Sequence, residues 1–229
     1  MIMKYVRKIL FIICLICVCV WNGIAQNWNP TTNWPYLFKD FQQAVVYSTI
    51  GQTEKTIEAN IHLEHSTLHY VNKEMVMAAD TKGIVKVAMD NRTFIFMNGE
   101  LVELIHTEGT NALVKRVLLD EKKFNSASTG AYGMKMETSA SREMATIQRG
   151  GIILSQMKTE QEGGKVFPIK TDYFLLLEDG KKIVKATKRD IEKSLTEKGN
   201  IEFKAFMKQH KIKWKEESSL IKVLQFFNE

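Results

Sequence analysis

The chain has 229 residues, 45% hydrophobic and 25% charged, a balance typical of one folded domain. All three cysteines lie in an N-terminal segment that we expect to be removed, which excludes disulfides, zinc–thiolate sites and a cysteine nucleophile from the mature chain. The net charge of +6 is local, because residues 180–229 carry 13 Lys and Arg against 7 Asp and Glu, whereas residues 26–179 carry a net −3.

Residues 1–25 are predicted to be a secretory signal peptide. Three basic residues precede the apolar run Ile9–Trp21, and Gly23-Ile24-Ala25 places small residues at the cleavage positions. The run is shorter than the roughly 20 residues that a membrane-spanning helix needs, although an uncleaved anchor is the alternative. We therefore expect an exported protein that begins at Gln26 and resides in the periplasm, outside the cell or at the outer membrane.

Residues 26–120 are predicted to form an antiparallel β-meander. Thr56–Glu64 alternates strictly between polar and apolar residues, as a strand with one buried face does. Asn98-Gly99 joins Thr93–Met97 to Leu101–Thr107, and Asn-Gly between apolar runs is the strongest short hairpin signal. We expect the meander to be either an open sheet or a barrel-like roll.

Residues 121–165 differ in composition from the segments on either side. Small polar residues, such as those of Asn125–Gly130, are followed by the glycine pairs Gly150-Gly151 and Gly163-Gly164. We expect a flexible insertion with one short strand at Ile152–Met157.

Residues 166–229 are predicted to form a β-hairpin followed by about three helices. The hairpin strands, Tyr173–Leu177 and Lys182–Ala186, flank an Asp-Gly turn. The helices are expected over Lys188–Leu195, from an Asn200 cap to about Lys211, and from Glu216 to Phe227. Their apolar stripes should pack on the sheet, because helices this short are marginal in isolation. The fold class that follows is α+β.

Three of the five histidines fall within Ile61–Tyr70, whose sequence is IHLEHSTLHY. A hairpin that turns at His65-Ser66 would place His62 opposite His69 on the polar face, with their Cβ atoms about 5 Å apart. Such a pair could share a metal ion, so His62 and His69 are candidate ligands of a metal-dependent hydrolase. A catalytic zinc needs three protein ligands, and only two are well placed. We therefore expect solvent-facing histidines with no functional metal, no cofactor and no catalytic residue.

Two other features leave alternatives open. Glu103 would lie beside Phe94 on an apolar face, either as a buried acid with a raised pKa or as a residue at the rim. An aromatic group near the mature N-terminus could be a sugar or peptide platform, or could pack the first segment onto the sheet. Its members are Trp28, Trp34, Tyr36, Phe38 and Phe41.

Two parts of the chain together resemble secreted proteins of unknown function from Gram-negative bacteria. The residues that carry the resemblance are YLFKDFQQAVVYSTIGQ, IEANIHLEHSTLHYVNKE and VAMDNRTFIF in the first part, and YFLLLEDGKKIVKATKRDIEKSL and FKAFMKQHKIKWKEESSLIKVLQFF in the second. In that family a sheet opens with an F-x-x-A/G-x-V-x-Y/F strand, and a hairpin precedes lysine-rich helices. The resemblance implies a fold but no activity, cofactor or catalytic residue.

We therefore expect an exported, non-enzymatic protein of the cell envelope with a binding or assembly role. Its partner would be an envelope protein, or an anionic envelope surface that the basic C-terminal helices contact, with no nucleic acid involved and no transmembrane segment in the mature chain. One alternative is a barrel-like carrier of a small apolar ligand. The other is the hydrolase at His62 and His69, although the sequence has no nucleophile elbow, P-loop or dinucleotide fingerprint.

Overall fold

A computed structural model of the protein describes residues 31–49, 54–123, 152–155, 157 and 166–228. The predicted signal peptide, Trp28 and most of the predicted insertion lie outside these ranges. Within them the chain forms a curled antiparallel sheet with helices packed on part of one face. At this level the predicted α+β class with an antiparallel sheet is confirmed.

The sheet has twelve described strands, all paired antiparallel. In chain order they are β1 Thr31–Thr32, β2 Gln42–Ser48, β3 Glu54–His62, β4 Thr67–Asn72, β5 Met75–Ala78, β6 Ile84–Met89, β7 Arg92–Met97, β8 Glu100–Glu108, β9 Asn111–Leu119, β10 Ile152–Ile153, β11 Phe167–Leu177 and β12 Lys182–Lys185. Their spatial order is β1-β11-β9-β8-β7-β6-β2-β3-β4-β5-β10, and β12 also pairs with β11. Two runs of hairpins, β2 to β5 and β6 to β9, thus join through the β2–β6 pair. Among the described strands this path stays open.

The Asn98-Gly99 turn joins β7 to β8. Both residues have positive φ, 53° at Asn98 and 84° at Gly99, as a tight hairpin turn requires. Phe96 lies opposite Leu101 in the resulting ladder. This predicted hairpin is confirmed.

The strand predicted at Ile152–Met157 is shorter in the structure. Only Ile152 and Ile153 are extended, and they pair with β5. Residues 154, 155 and 157 are helical instead, and Leu154 and Met157 pack into an aromatic cluster around Trp34. The prediction missed this end because the cluster is built from distant parts of the chain.

Three helices follow β12 in the described C-terminal part: α1 Lys188–Ser194, α2 Glu197–His210 and α3 Glu217–Phe226. The hydroxyl of Thr187 caps α1, where it accepts a hydrogen bond from the Asp190 backbone N–H. Thr196 caps α2 in the same way, through the Gly199 N–H. The predicted Asn200 cap is therefore wrong. Asn200 lies inside the helix, and its amide donates to the Glu192 carbonyl oxygen.

The helices pack on the sheet through one continuous apolar core. Its fully buried members are Leu113, Leu175, Ile191, Phe203, Leu220, Val223 and Leu224. Helix and strand residues thus share one core, which supplies the tertiary support that short helices need. Within the described residues, no helix combines the length and the apolar composition needed to cross a membrane.

A second core fills the inside of the curl, on the same face of the sheet. Its buried residues are Phe38, Ala44, Val46, Ala59, Ile61, Leu68, Val87, Met89, Phe94 and Leu101. Residues directly opposite each other on neighbouring strands point to the same face of the sheet. Phe94 lies opposite Glu103, Glu103 opposite Lys115, and Lys115 opposite Tyr173, so this row connects the two cores on one face. The polar residues of that row separate the two apolar regions.

An ion cluster centred on Glu103 occupies this row. Arg92 donates two hydrogen bonds to the Glu103 carboxylate, at 2.7 and 2.6 Å. The Lys115 ammonium lies 2.9 Å from Glu103 and 2.9 Å from Glu217 of α3, which also accepts a hydrogen bond from the Tyr173 hydroxyl. Burial alone would raise the pKa of Glu103, but the hydrogen bonds from Arg92 and Lys115 outweigh it and hold that pKa below its ordinary value. The alternative of a carboxylic acid with a raised pKa is wrong.

We expect Glu103→Gln to lower the free energy of unfolding by about 1–3 kcal/mol, because the change leaves two half-buried cations short of a partner. Urea unfolding at neutral pH would measure the effect. Glu108→Gln is the matched control, since Glu108 contacts only His106 in a more exposed pair, for which an effect below about 1 kcal/mol is expected. Equal effects of the two changes on the free energy of unfolding would show that the ion cluster does not stabilise the packing of α3 on the sheet.

Candidate functional site

The two candidate histidines lie on β3 and β4, close to the turn that joins these strands. Asn60 is opposite His69, and His62 is opposite Thr67. The predicted pairing of His62 with His69 is therefore wrong by two residues, so the two histidines are diagonal neighbours rather than directly opposite each other. The connection is the four-residue turn 63–66 rather than a two-residue turn, because Leu63 leaves the strand and packs against Leu119 and Phe167.

Both imidazoles are fully buried, at 0% exposure. The predicted solvent-facing position is wrong, because residues 34–41 cross this face of the sheet and cover it. The Leu37 N–H donates to the Ile61 carbonyl oxygen, and the Leu63 N–H donates to the Pro35 carbonyl oxygen. We call residues 34–41 the covering segment.

The described aromatic residues of the covering segment form the lid over the histidines. Trp34, Tyr36, Phe38 and Phe41 are all buried. Of the two alternatives for this group, packing onto the sheet is the arrangement seen for these four residues, and a platform for sugars or peptides is not. Their side chains meet both neighbouring cores, because Phe38 belongs to the core inside the curl and the other three belong to the cluster around Trp34.

The two imidazoles stack on each other and meet Tyr36 edge-on. Their ring centroids are 4.9 Å apart with planes inclined by 23°. The Tyr36 hydroxyl lies 2.8 Å from His69 Nδ1, and the Thr67 hydroxyl lies 3.2 Å from His69 Nε2. His62 Nδ1 accepts a hydrogen bond from the Glu64 backbone N–H at 3.4 Å, whereas His62 Nε2 has no hydrogen-bond partner in the described residues.

Burial keeps both rings neutral near neutral pH. It lowers the pKa of His69 to about 4. The pKa of His62 lies well below its ordinary value, first because of burial and then because of the nearby imidazoles of His69 and His65. Neutral, stacked rings act here as aromatic core residues.

The hydrolase alternative gains no support from this geometry. A hydrolytic metal would need substrate and water to reach the pair, and the covering segment closes that approach. In the ranges that the structure describes, no three His, Cys, Asp or Glu residues converge on a possible ion position. Stacked rings also present their faces to each other, whereas a shared ion would need two ring nitrogens to point at one place.

Asn60 has a structural role at this site. Its side-chain oxygen accepts hydrogen bonds from the Phe38 and Ile61 N–H groups, at 3.1 and 2.8 Å. Its amide donates to the carbonyl oxygens of Phe38 and Asp40, at 2.9 and 3.1 Å. The side chain thus binds the backbone of the covering segment, a role that its strand position alone could not reveal.

An open groove of about 570 Å³ lies on the opposite face of the sheet, away from the helices. We call it the outer groove. Its apolar wall consists of Ile95, Met97, Leu104, Ala112, Leu176 and Ile183, and its polar rim includes Asn98, Thr107, Thr110 and Asp179. Two of these wall residues, Met97 and Leu176, are buried and pack with Val102 and Val114 in one apolar cluster on this face. In the described part of the chain, no helix covers this face.

A smaller cavity of about 280 Å³ opens at one end of the curl. We call it the inner cavity. Its apolar lining residues are Val46, Ile57, Leu68, Tyr70, Ala79 and Ile84, and its polar ones are Ser48, Lys55 and Asp80. Much of the curl is already filled by the second core, so the inner cavity is a pocket at its mouth rather than a barrel lumen.

The basic charge predicted for the C-terminal segment lies partly on α2 and the link after it. Lys204, Lys208, Lys211 and Lys215 are exposed and form no ion pair within the described residues. Lys204 and Lys208 share one side of α2 with Ile201, which is 68% exposed. This side of the helix combines positive charge with one exposed apolar residue.

Comparison with known proteins supplies no function for these features. No family model, no curated protein and no solved structure matches the chain. The resemblance to secreted proteins therefore stays a prediction, and the function is argued from the geometry.

Proposed function

We propose that the protein is exported and acts, without catalysis, as a binding or assembly component of the cell envelope. The outer groove is its partner-binding surface. The observation that carries the proposal is the apolar wall of this groove, which no described residue covers, on an otherwise well-packed sheet. Large apolar concavities rimmed by polar residues typically mark sites where a partner binds.

The position of the outer groove supports this role. Five strands supply its walls, and the helices occupy the other face, so the groove rests on a rigid base. Ile183 on its wall is 37% exposed, which leaves apolar surface for a partner to bury. Because the polar groups are confined to the rim, the partner that fits best is a protein segment with apolar side chains.

The proposal places the protein outside the cytoplasm because of the N-terminal pattern. The basic start, the apolar run and the small residues at Gly23-Ile24-Ala25 support export. Contact of the basic side of α2 with an anionic envelope surface would hold the protein there and is part of the same proposal.

Photo-cross-linking in the native host would test the proposal. A photoreactive amino acid at position 183, on the wall of the groove, is expected to give one discrete adduct in the envelope fraction. The same amino acid at position 201, which is exposed on α2, is the matched control and should not give that adduct. Equal adduct patterns at both positions, or none at position 183, would contradict a partner in the groove.

A carrier of a small apolar ligand is the second candidate, and the inner cavity favours it. Its volume of about 280 Å³ is near the lower end of the range for ligand pockets, roughly 300–1,000 Å³. A small apolar molecule that co-purifies with the protein, and is lost when Ile84→Phe fills the cavity, would favour this alternative over the groove.

A further inference from the structure

We propose that the covering segment is an acid-released latch, which His62 and His69 hold closed while both imidazoles are neutral. In this role the pair is a regulatory device in the fold, independent of what the outer groove binds. When the latch opens, it exposes its own aromatic side chains and the sheet residues beneath them as a surface available only in acid.

The first observation is that the middle of the covering segment packs directly on the histidines. Tyr36 forms a β-bridge opposite His62, and its ring lies edge-on to both imidazoles, at centroid distances of 4.9 and 5.6 Å. Its hydroxyl contacts His69 Nδ1 at 2.8 Å. A change in either imidazole therefore acts directly on the middle of the segment.

The second observation is that the hydrogen bonds around the pair are those of neutral rings. The backbone N–H of Glu64 can only donate, so His62 Nδ1 must accept and His62 Nε2 carries the hydrogen. A second proton on His62 would put an N–H against an N–H at Nδ1, while Nε2–H still finds no acceptor in the described residues. For His69, the hydroxyl of Tyr36 or Thr67 that donates to the neutral ring would have to turn its hydrogen away and accept from the protonated ring instead.

The third observation is that the described residues supply no counter-charge. The titratable residues of the elements packed against the pair are Tyr36, Lys39 and Asp40 of the covering segment and Glu64 and His65 of the turn. Neither imidazole forms an ion pair with any described carboxylate, and His65 disfavours a charge on His62. A proton on one ring would also face the stacked partner ring at 4.9 Å. Acid thus favours the open segment, in which water solvates the charge.

Hydrogen exchange of the purified protein, corrected for the intrinsic effect of pH, tests the proposal. The amides to follow are those of Leu37 and Leu63, which form backbone hydrogen bonds between the covering segment and residues 61–63. The amide of Val114 on β9 is the internal reference. Burial lowers the pKa of His69 to about 4 in the closed state, against about 6.5 when exposed. This difference predicts that the equilibrium constant for opening rises about 30-fold from pH 7.5 to pH 5, while Leu37 and Leu63 exchange with a smaller opening free energy than Val114 at both pH values.

Two variants locate the effect. His62→Phe/His69→Gln keeps an aromatic ring and an acceptor but no titratable group, and its exchange at Leu37 should not depend on pH in this range. His65→Gln, in the exposed turn, should retain the full response. Three outcomes would overturn the proposal: unchanged protection of Leu37 in the wild type at pH 5, equal opening free energies at Leu37 and Val114, or a persistent response in the double variant. The first two need no variant, so the test stands even if the double variant fails to fold.

Discussion

Truncation of Phe203 to alanine is expected to lower the free energy of unfolding by about 3–5 kcal/mol. Phe203 is fully buried at the centre of the core that joins the helices to the sheet, and its ring lies 5.2 Å from that of Phe226. The loss combines the apolar surface no longer buried with the cavity left behind. Urea unfolding followed by far-UV circular dichroism would measure it.

The same helix supplies the control for this prediction. Ile201 is 68% exposed on the opposite side of α2, and Ile201→Ala should change the free energy of unfolding by less than about 0.5 kcal/mol. Leu224→Ala on α3 should cost about 2–5 kcal/mol, because it enters the same core. A Phe203→Ala effect as small as that of Ile201→Ala would mean that the helices contribute nothing to the stability of the sheet.

Acid is expected to destabilise the folded protein in a window set by the buried histidines. The pKa of His69 is about 4 in the folded state and about 6.5 in the unfolded chain, so the unfolded state binds more protons between these values. The free energy of unfolding should therefore fall by about 3 kcal/mol from pH 7 to pH 4 because of His69 alone. His62 contributes in the same direction, and above pH 6.5 the contribution of both is constant.

Urea unfolding at several pH values would measure this dependence. The carboxylates of Glu103 and Asp172 also have lowered pKa values, which their cationic partners hold down against the effect of burial. They lose their stabilising effect only as the pH falls below their unfolded values near 4, so the window from 6.5 to 4 belongs to the histidines. His62→Phe/His69→Gln should flatten the curve in that window and leave the lower part unchanged. A curve with the same slope in this variant would contradict the assignment.

Much of the local structure could be predicted from short-range patterns. Asn98-Gly99 specifies its own turn, because both residues tolerate positive φ. The alternation of Thr56–Glu64 correctly predicted a strand, but the last four residues of the observed β3 are buried on both faces. The helix stripes predicted which side chains enter the core, although the α2 start was placed at Asn200 instead of after Thr196. That error is local, since two residues that can both cap a helix lie within one turn.

The candidate site could not be predicted, because its environment comes from distant residues. The alternation of β3 distinguishes two faces, and the polar face was assumed to meet water. The structure places Tyr36 and Trp34 over that face, and Asn60 anchors the covering segment at the Phe38 and Asp40 backbone. Likewise, Glu103 meets Lys115 and is linked through it to Glu217, more than 100 positions further along the chain. Periodicity within one strand contains no information about such partners.

The proposed binding role has one direct test, the size of the native assembly in mild detergent extracts of the envelope. We predict that the wild-type protein migrates as a complex larger than one chain, and that Ile183→Glu releases it as a folded monomer. Val85→Glu, an equally polar change on β6 at a residue that is 50% exposed, should leave the complex intact. A wild-type protein that migrates as a single chain, or a complex that survives Ile183→Glu, would contradict the claim that the outer groove binds a partner.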